Sequence, residues 1–451
     1  MKQVLVLGAG LSASYLVAQL LEDAERQDWF VTVGDLDQAL AREAVGSHAR
    51  GEAVRFDVND AGVRSARIEH ADVVINMLPA AYQDLVAWDC VNHGRHMISV
   101  SYRDQAVRDL DLDAKRKGVM LLCEMGLDPG IDHMSAMSLI QRLRDDGGRI
   151  VGFRSYGSGI PAPNQPQHPL RYVVTWNPRN VVMAGFEGAQ YMEDGNIKIV
   201  PFHQVFNHTW NVDVDGIGPL EAYANRDSLS YMKSFGLEHV RTMIRGTLRY
   251  AGWSETWGRI VRLGLPNETL RIPQLADRTY AEVVEMFLPL NAKSAPLEQR
   301  VATFLRISPT GGIMENLRWL GLFSDERIGC KGDTAAAMLI HLLQTKLPLT
   351  PEMRDMVVLV HELDVEYPGD ERPAELIRST LVVEGEAGGG TAMARSVGLP
   401  VLIAVKLLLG GELSLTGCLI PTHPAIYTPV LRRIESAGLR FTESRTQIGN
   451  H

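Results

Sequence analysis

Gly8-Ala9-Gly10-Leu11-Ser12-Ala13 decides the fold, because of what stands on either side of it. The apolar run Val4-Leu5-Val6-Leu7 before it reads as a buried strand. The segment from Tyr15 to Arg26 after it reads as a helix, apolar at Leu16, Val17, Leu20 and Leu21. A strand, a tight glycine turn and a helix N-terminus in this order cradle a pyrophosphate. Gly8 permits the turn, Gly10 lets the backbone approach the phosphates, and Ala13 keeps the helix close to the strand. A second strand, Phe30-Val31-Thr32-Val33, ends at Gly34-Asp35, where a carboxylate accepts hydrogen bonds from an adenosine ribose. That charge repels a 2′-phosphate, and no arginine follows closely, so the sequence favours NAD over NADP. Asp35 also reads as a cap for a helix beginning near Gln38.

Further strands read at Val54-Arg55-Phe56, Val73-Val74-Ile75, Met97-Ile98-Ser99-Val100 and Val119-Met120-Leu121-Leu122. Helical patterns lie between them, notably Ala81 to His93 and Gln105 to Lys117. This alternation predicts an α/β fold, a Rossmann-type doubly wound parallel sheet. Ligands on such sheets sit beyond the carboxyl ends of the strands. Those ends carry Gly8, Asp35, Asp57, Asn76-Met77-Leu78-Pro79, Ser101-Tyr102 and Glu124 to Asp128.

After about Asp132 the texture changes. His133 to Arg144 reads as a helix and Ile150 to Tyr156 as a strand, followed by a loop rich in glycine and proline from Gly157 to Pro163. The region to about Thr380 mixes antiparallel strands with helices such as Asp333 to Lys346, which implies an inserted α+β domain for substrate and dimer contacts. Gly388 to Leu409 returns to glycines and an apolar helix that packs back on the first domain. The expected division is residues 1–128 plus about 390–451 for the dinucleotide-binding domain and 129–389 for the substrate domain.

Composition narrows the partners. The net charge of −9 argues against general nucleic-acid binding. Cys90, Cys123, Cys330 and Cys418 are widely spaced, which fits reduced, buried thiols and neither a zinc site nor a disulfide framework. The N-terminal apolar run fits a first strand better than a signal peptide. Val397 to Leu409 is broken by Gly398, Pro400 and Lys406, so it reads as too short and interrupted to span a bilayer. The expectation is a cytoplasmic protein with no metal, no nucleic acid and no membrane partner.

Two groups of residues carry chemistry. Gly126-Leu127-Asp128-Pro129-Gly130-Ile131-Asp132-His133 follows the sixth strand. There Asp128 is placed to hold or deprotonate a substrate ammonium, while Asp132 reads as an N-cap with His133 in the first helical turn. Arginines stand in Asn225-Arg226-Asp227-Ser228 and in Arg245-Gly246-Thr247-Leu248-Arg249-Tyr250. A guanidinium fork fixes both the plane and the charge of a carboxylate, which suits a di- or tricarboxylic substrate. Each arginine taken singly also fits a surface salt bridge.

Over nearly its whole length the chain resembles the saccharopine dehydrogenases of the L-glutamate-forming type. The resemblance rests on Ser101-Tyr102, the Gly126-to-His133 motif, Ser155-Tyr156 leading to Ile160-Pro161-Ala162-Pro163, and Trp176 with Pro178-Arg179. The two arginine segments and Ala392 to Pro400 extend it. It implies that saccharopine, oxidised dinucleotide and water give L-glutamate, 2-aminoadipate 6-semialdehyde and reduced dinucleotide, reversibly, within lysine metabolism and in a homodimer. By the family pattern Ser101, Asp128, Arg226, Thr247, Leu248 and Arg249 hold this tricarboxylate amino acid, and Tyr102 and Asp128 transfer protons. Gly8, Gly10, Leu11, Ser12, Ala13, Asp35, Asp57, Val58, Met77 and Leu78 contact the dinucleotide.

The chain departs from the family pattern in three places, the first two being departures from its fungal members. Gly157 replaces a cysteine, Gly34-Asp35 replaces a Cys-Arg pair, and Asn180 replaces a glycine. The second change is the resemblance's own argument for NAD. Two other readings compete: a related C–N dehydrogenase acting on a polyamine conjugate of the carboxynorspermidine or homospermidine kind, and a non-catalytic NAD-binding protein. A cationic substrate calls for acidic and aromatic walls and not for Arg226, Arg245 and Arg249.

Overall fold

Val4 to Leu7 are all buried, and the strand they form lies inside a parallel sheet with a partner on each side. The computed structural model describes residues 1–165, 168–290, 295–369 and 371–449. In chain order its early strands are β1 (Lys2–Leu7), β2 (Trp29–Asp35), β3 (Gly51–Arg55), β4 (Val73–Asn76), β5 (His96–Ser99), β6 (Met120–Leu122), β7 (Arg149–Pro161) and β8 (Ala189–Glu193). The later ones are β9 (Asn196–Val200), β10 (Thr209–Val214), β11 (Gly218–Ala224), β12 (Thr242–Arg249), β13 (Asp355–Glu366), β14 (Glu375–Glu384), β15 (Gly417–Leu419) and β16 (Phe441–Gln447).

The chain divides into two units, one of Met1–Arg149, Tyr367–Arg372 and Leu381–Glu443, the other of Ile150–Glu366, Pro373–Thr380 and Ser444–His451. The first unit holds a seven-stranded sheet in the order β15-β6-β5-β4-β1-β2-β3, every pair parallel. The order reverses direction at β1 and β4, the switch point where such sheets open a crevice for ligands. The six strands read from the sequence are all present. The seventh, β15, is three residues long, too short for any hydrophobic period to announce it.

The helix Ala392–Leu409 is continuous, with Pro400 inside it, so Gly398 and Pro400 do not break it. By length and composition it is long and apolar enough to cross a membrane, but 78% of it is buried in the folded chain. Its apolar character follows from its packing against the helix Ser14–Ala24: a Cβ on Gly398 would lie 3.0 Å from the Leu16 Cβ, so glycine sets how closely the two helices approach. Lys406 pairs with the buried Asp23 of that same helix. Cys90, Cys123 and Cys418 are buried and Cys330 half-buried, all as free thiols.

The second unit is built on a mixed sheet in the order β10-β11-β12-β7-β13-β14-β16, with β8 and β9 joined at β12. β10, β11 and β12 are antiparallel neighbours, whereas β12 and β7 run parallel, so the region is not uniformly antiparallel. β7 also runs through Gly157 to Pro161, where the sequence reads as a loop, because Arg245, Gly246 and Thr247 of β12 pair with Ser155, Tyr156 and Gly157. Tyr156, Tyr172, Trp253 and Trp257 are all buried in its core.

Candidate active site

The glycine turn joins β1 to the helical segment that begins at Leu11. Gly8 has φ +101°, and a Cβ there would meet the Met77 carbonyl at 3.1 Å, so the position excludes every other residue on two grounds. A Cβ on Gly10 would meet nothing within 4 Å, which leaves the backbone open at that point. Leu11 is exposed, Ser12 half-buried and Ala13 buried. Met77 N–H bonds the Leu7 carbonyl at 2.8 Å, and Leu78 N–H bonds Asn76 Oδ1 at 3.2 Å, so Met77 and Leu78 line the turn from β4. Asn76 is wholly buried, and its Nδ2 donors have no protein partner. An open glycine turn beside an unpartnered buried amide fits a dinucleotide.

Asp35 ends β2. Its Oδ2 accepts the Ala9 N–H at 2.8 Å and its Oδ1 accepts the Asp37 N–H at 2.9 Å, so the carboxylate braces the glycine turn. The helix Gln38–Val45 is capped by Asp37, not by Asp35. Arg55 of β3, exposed, stands directly across from Asp35. Asp57 accepts the Asn59 N–H at 3.0 Å, and the buried Val58 is held through its carbonyl by Arg64, which pairs with Asp89 at 2.6 Å.

Beyond β5 and β6 the proton-transfer candidates sit on two adjoining segments. Ser101 Oγ donates to the Leu78 carbonyl at 3.4 Å, and the Tyr102 carbonyl accepts from Gln83 Nε2 at 2.6 Å. Residues 119–136 are buried with one exception, the half-buried Asp128. Its turn closes tightly: Gly126 N–H bonds the Pro129 carbonyl at 2.9 Å, and a Cβ on Gly130 would lie 2.0 Å from the Gly126 oxygen. The helix that follows, Ile131–Asp145, is capped by Gly130 and not by Asp132. Asp132 and His133 are buried and form an ionic cluster with Glu124. The sequence reading missed Glu124 as a partner, although it stands in the same strand-end motif.

In the second unit the arginines divide. Arg226, with φ +52°, binds Glu187 through its Nε, the salt-bridge reading of that residue. Arg245, Thr247 and Arg249 alternate with Leu248 along β12, so they share one face of the sheet and Leu248 takes the other. The Leu248 side chain lies in the core, and its carbonyl accepts from Ser158 Oγ at 2.6 Å and from Arg249 at 2.9 Å. Arg249 is 5% exposed, donates to Ser158 Oγ at 2.8 Å, and among the described residues pairs with no carboxylate. Glu221, directly across, instead receives the Ser254 N–H at 3.3 Å.

Aromatic rings surround the Arg249 guanidinium, with centroids at 5.0 Å for Tyr172, 5.6 Å for Trp253 and 6.0 Å for Tyr223. Arg249 Nε, Trp253 Nε1 and Ser254 Oγ are buried without partners. A buried cation beside idle donors is a place prepared for an anion. Nothing in the sequence marks Trp253, because a tryptophan at helical spacing looks like core. Among the described residues no group of three or more His, Cys, Asp or Glu side chains is placed to hold a metal ion.

Two family models match the chain: the saccharopine dehydrogenase NADP binding domain over residues 4–122 and the saccharopine dehydrogenase C-terminal domain over residues 126–439. The mitochondrial α-aminoadipic semialdehyde synthase of Rattus norvegicus is 31% identical over 458 residues, covering 99% of this chain and 48% of that protein. The chain thus spans about half the length of that relative. Saccharopine dehydrogenase [NADP(+), L-glutamate-forming] of Saccharomyces cerevisiae is 31% identical over 96% of this chain and 97% of its own. The structure of the apo yeast saccharopine dehydrogenase (L-Glu forming) superposes with a TM-score of 0.85 at 29% identity, covering 99% of this chain and 100% of that one.

These findings overturn the expected preference for NAD over NADP, since the yeast relative is named for NADP(+) and the matching N-terminal model is an NADP binding domain. The expectation treats Asp35 as a free ribose acceptor, whereas one of its oxygens is taken by Ala9 of the glycine turn and the other by Asp37, and it gives no weight to Arg55 across the sheet. Both halves of the sequence, and the fold they build, make this chain a member of the saccharopine dehydrogenase family.

Proposed function

We propose that the chain oxidises saccharopine with NADP, reversibly giving L-glutamate and 2-aminoadipate 6-semialdehyde. The observation that carries this reading furthest is Arg249, a buried guanidinium with no carboxylate partner among the described residues, in a family whose substrate is a tricarboxylate. Arg249 and Trp253 bind one substrate carboxylate, and Thr247, on the same sheet face, adds a hydroxyl donor. Arg226 is available to a second carboxylate by exchanging Glu187 for it.

In the first unit, the open turn at Gly10 and the helical N–H groups after it receive the pyrophosphate, and Asn76 Nδ2 supplies a donor at the switch point. Arg55 offers a cation for the 2′-phosphate. When bound, the dinucleotide would supply the hydride acceptor for the substrate carbon beside the secondary amine. Asp128, the one half-buried residue of its stretch, takes the proton from the substrate nitrogen as the imine forms. Tyr102 relays a proton from the water that adds to the imine carbon, its oxygen accepting that proton as its own hydroxyl proton passes to solvent. Asp128 then returns its proton to nitrogen, the C–N bond breaks as the carbinol oxygen forms the carbonyl, and the hydroxyl proton passes back to the Asp128 carboxylate. Ser101 orients the substrate beside them.

The test is a coupled absorbance assay in both directions: saccharopine with NADP, and glutamate plus the semialdehyde with NADPH. Reduced dinucleotide formed only when saccharopine is present is the expected result. No change in either direction overturns the reading.

A further inference from the structure

Three ionisable side chains of the first unit take no part in this chemistry, and all three are withdrawn from solvent: Glu124, Asp132 and His133. His133 Nε2 lies 2.8 Å from Glu124 Oε2, and its Nδ1 lies 3.1 Å from Asp132 Oδ2. Each carboxylate makes a second bond that leaves the cluster. Glu124 Oε1 accepts the Arg103 backbone N–H at 3.0 Å, one residue past Tyr102. Asp132 Oδ1 accepts the Gly130 N–H at 2.6 Å, two residues past Asp128. The imidazole is the centre of a string whose ends are the Ser101-Tyr102 segment and the Asp128 turn.

A buried ionic cluster is a weak source of net stability, because desolvation offsets most of the attraction, and fixing geometry is a better use for it. The backbone points the same way. Glu124 has φ +61°, a left-handed conformation that a residue with a Cβ keeps only where its surroundings hold it. Its N–H bonds the Ser101 carbonyl at 3.1 Å, so the strained residue is itself the junction of the two segments. His133 is what clamps its side chain.

We infer that His133 is a positioning residue: through Glu124 and Asp132 it holds the Tyr102 segment and the Asp128 turn in one fixed arrangement. This rests on the reading of Tyr102 and Asp128 as proton-transfer groups. The carboxylates of Glu124 and Asp132 face the imidazole at its two nitrogens. Burial opposes its charge and they outweigh it, which raises its pKa to about 9.

His133→Gln tests the inference by three measurements: NADPH fluorescence titration, saccharopine kinetics against pH, and amide hydrogen exchange resolved along the chain. The expected result is unchanged NADPH binding and unchanged KM, with kcat down about a hundredfold, the scale of a displaced reacting group. The alkaline limb of the kcat profile is lost, and exchange rises in both segments together while the rest of the unit stays protected. Glu124→Gln, which keeps the imidazole, carries the same test if His133→Gln does not fold. Wild-type kcat with unchanged exchange overturns the inference, as does exchange raised uniformly across the unit. If the wild-type chain turns over no saccharopine, the reaction reading fails. Exchange then decides alone: joint loosening of the two segments upholds the positioning role, and independent behaviour overturns it.

Discussion

Arg55 stands directly across from Asp35 on adjacent parallel strands, cation beside carboxylate at the carboxyl end of the sheet, the end beyond which ligands of such folds sit. Asp35 uses one oxygen on Ala9 and the other on Asp37, so its charge is directed into the glycine turn. Arg55 is exposed. Arg55→Ala is therefore expected to weaken NADPH binding by about tenfold, the scale of one charge-assisted hydrogen bond. NADH binding should be untouched. Paired fluorescence titrations check this, and equal losses for the two nucleotides would show that Arg55 does not meet the 2′-phosphate.

The sheet is legible because β1, β4 and β6 hold uninterrupted apolar runs, β2 one broken only by Thr32, and their ends carry glycine, acid or proline. β15 was not legible, since three residues have no period and its place beside β6 depends on contacts from the far end of the chain. Gly157 of β7 reads as loop because local propensity cannot see Thr247 of β12, which pairs with it. In the site, Asp128 is legible as a candidate from its position after a strand. Asp132 reads as a cap with His133 in the first turn because that is the commoner local role, and only the fold brings Glu124 onto the imidazole. Trp253 was invisible for a related reason: an idle indole N–H exists only once burial has removed its water.

Asp128→Asn tests the proton-transfer role with little change in volume. The amide neither takes a proton from the substrate nitrogen nor returns one. The expected loss in kcat is on the order of 10²- to 10⁴-fold, the usual span for removing a general base. NADPH affinity and the melting temperature should stay at wild-type values, because the side chain is half-exposed in an otherwise buried turn. Steady-state kinetics alongside thermal melts separate the two. A variant with wild-type kcat would remove Asp128 from the chemistry.

Arg249 and Trp253 are separable by conservative changes. Arg249→Lys keeps a charge but loses the fork. Trp253→Phe keeps a ring near the guanidinium and loses the indole N–H, which has no partner in the protein. Both should raise KM for saccharopine, Arg249→Lys by about ten- to a hundredfold, as for a hydrogen bond to a charged group. The Trp253→Phe increase should be the smaller, with stability held or improved once an unsatisfied buried donor is gone. A Trp253→Phe protein with normal KM and lowered stability would make that indole a packing residue only.

His133 makes stability depend on pH in a direction fixed by its carboxylate neighbours. Its ordinary pKa of 6.5 is raised in the folded chain to about 9, against the burial that lowers it, by Asp132 and Glu124. The folded state thus holds a proton that the unfolded state gives up first. The stabilisation is complete below pH 6.5, declines as the unfolded imidazole loses its proton, and is gone once pH rises through about 9. Its full size is on the order of 3 kcal/mol by linkage. Urea unfolding of the wild-type chain and of His133→Gln from pH 6 to 10 (about the range where the imidazole changes charge) isolates this contribution, since both proteins share every other titrating group. The stability difference should narrow steadily with rising pH. A difference that stays constant would mean the imidazole is neutral between its two carboxylates, and the clamp on Glu124 would then be an ordinary neutral hydrogen bond.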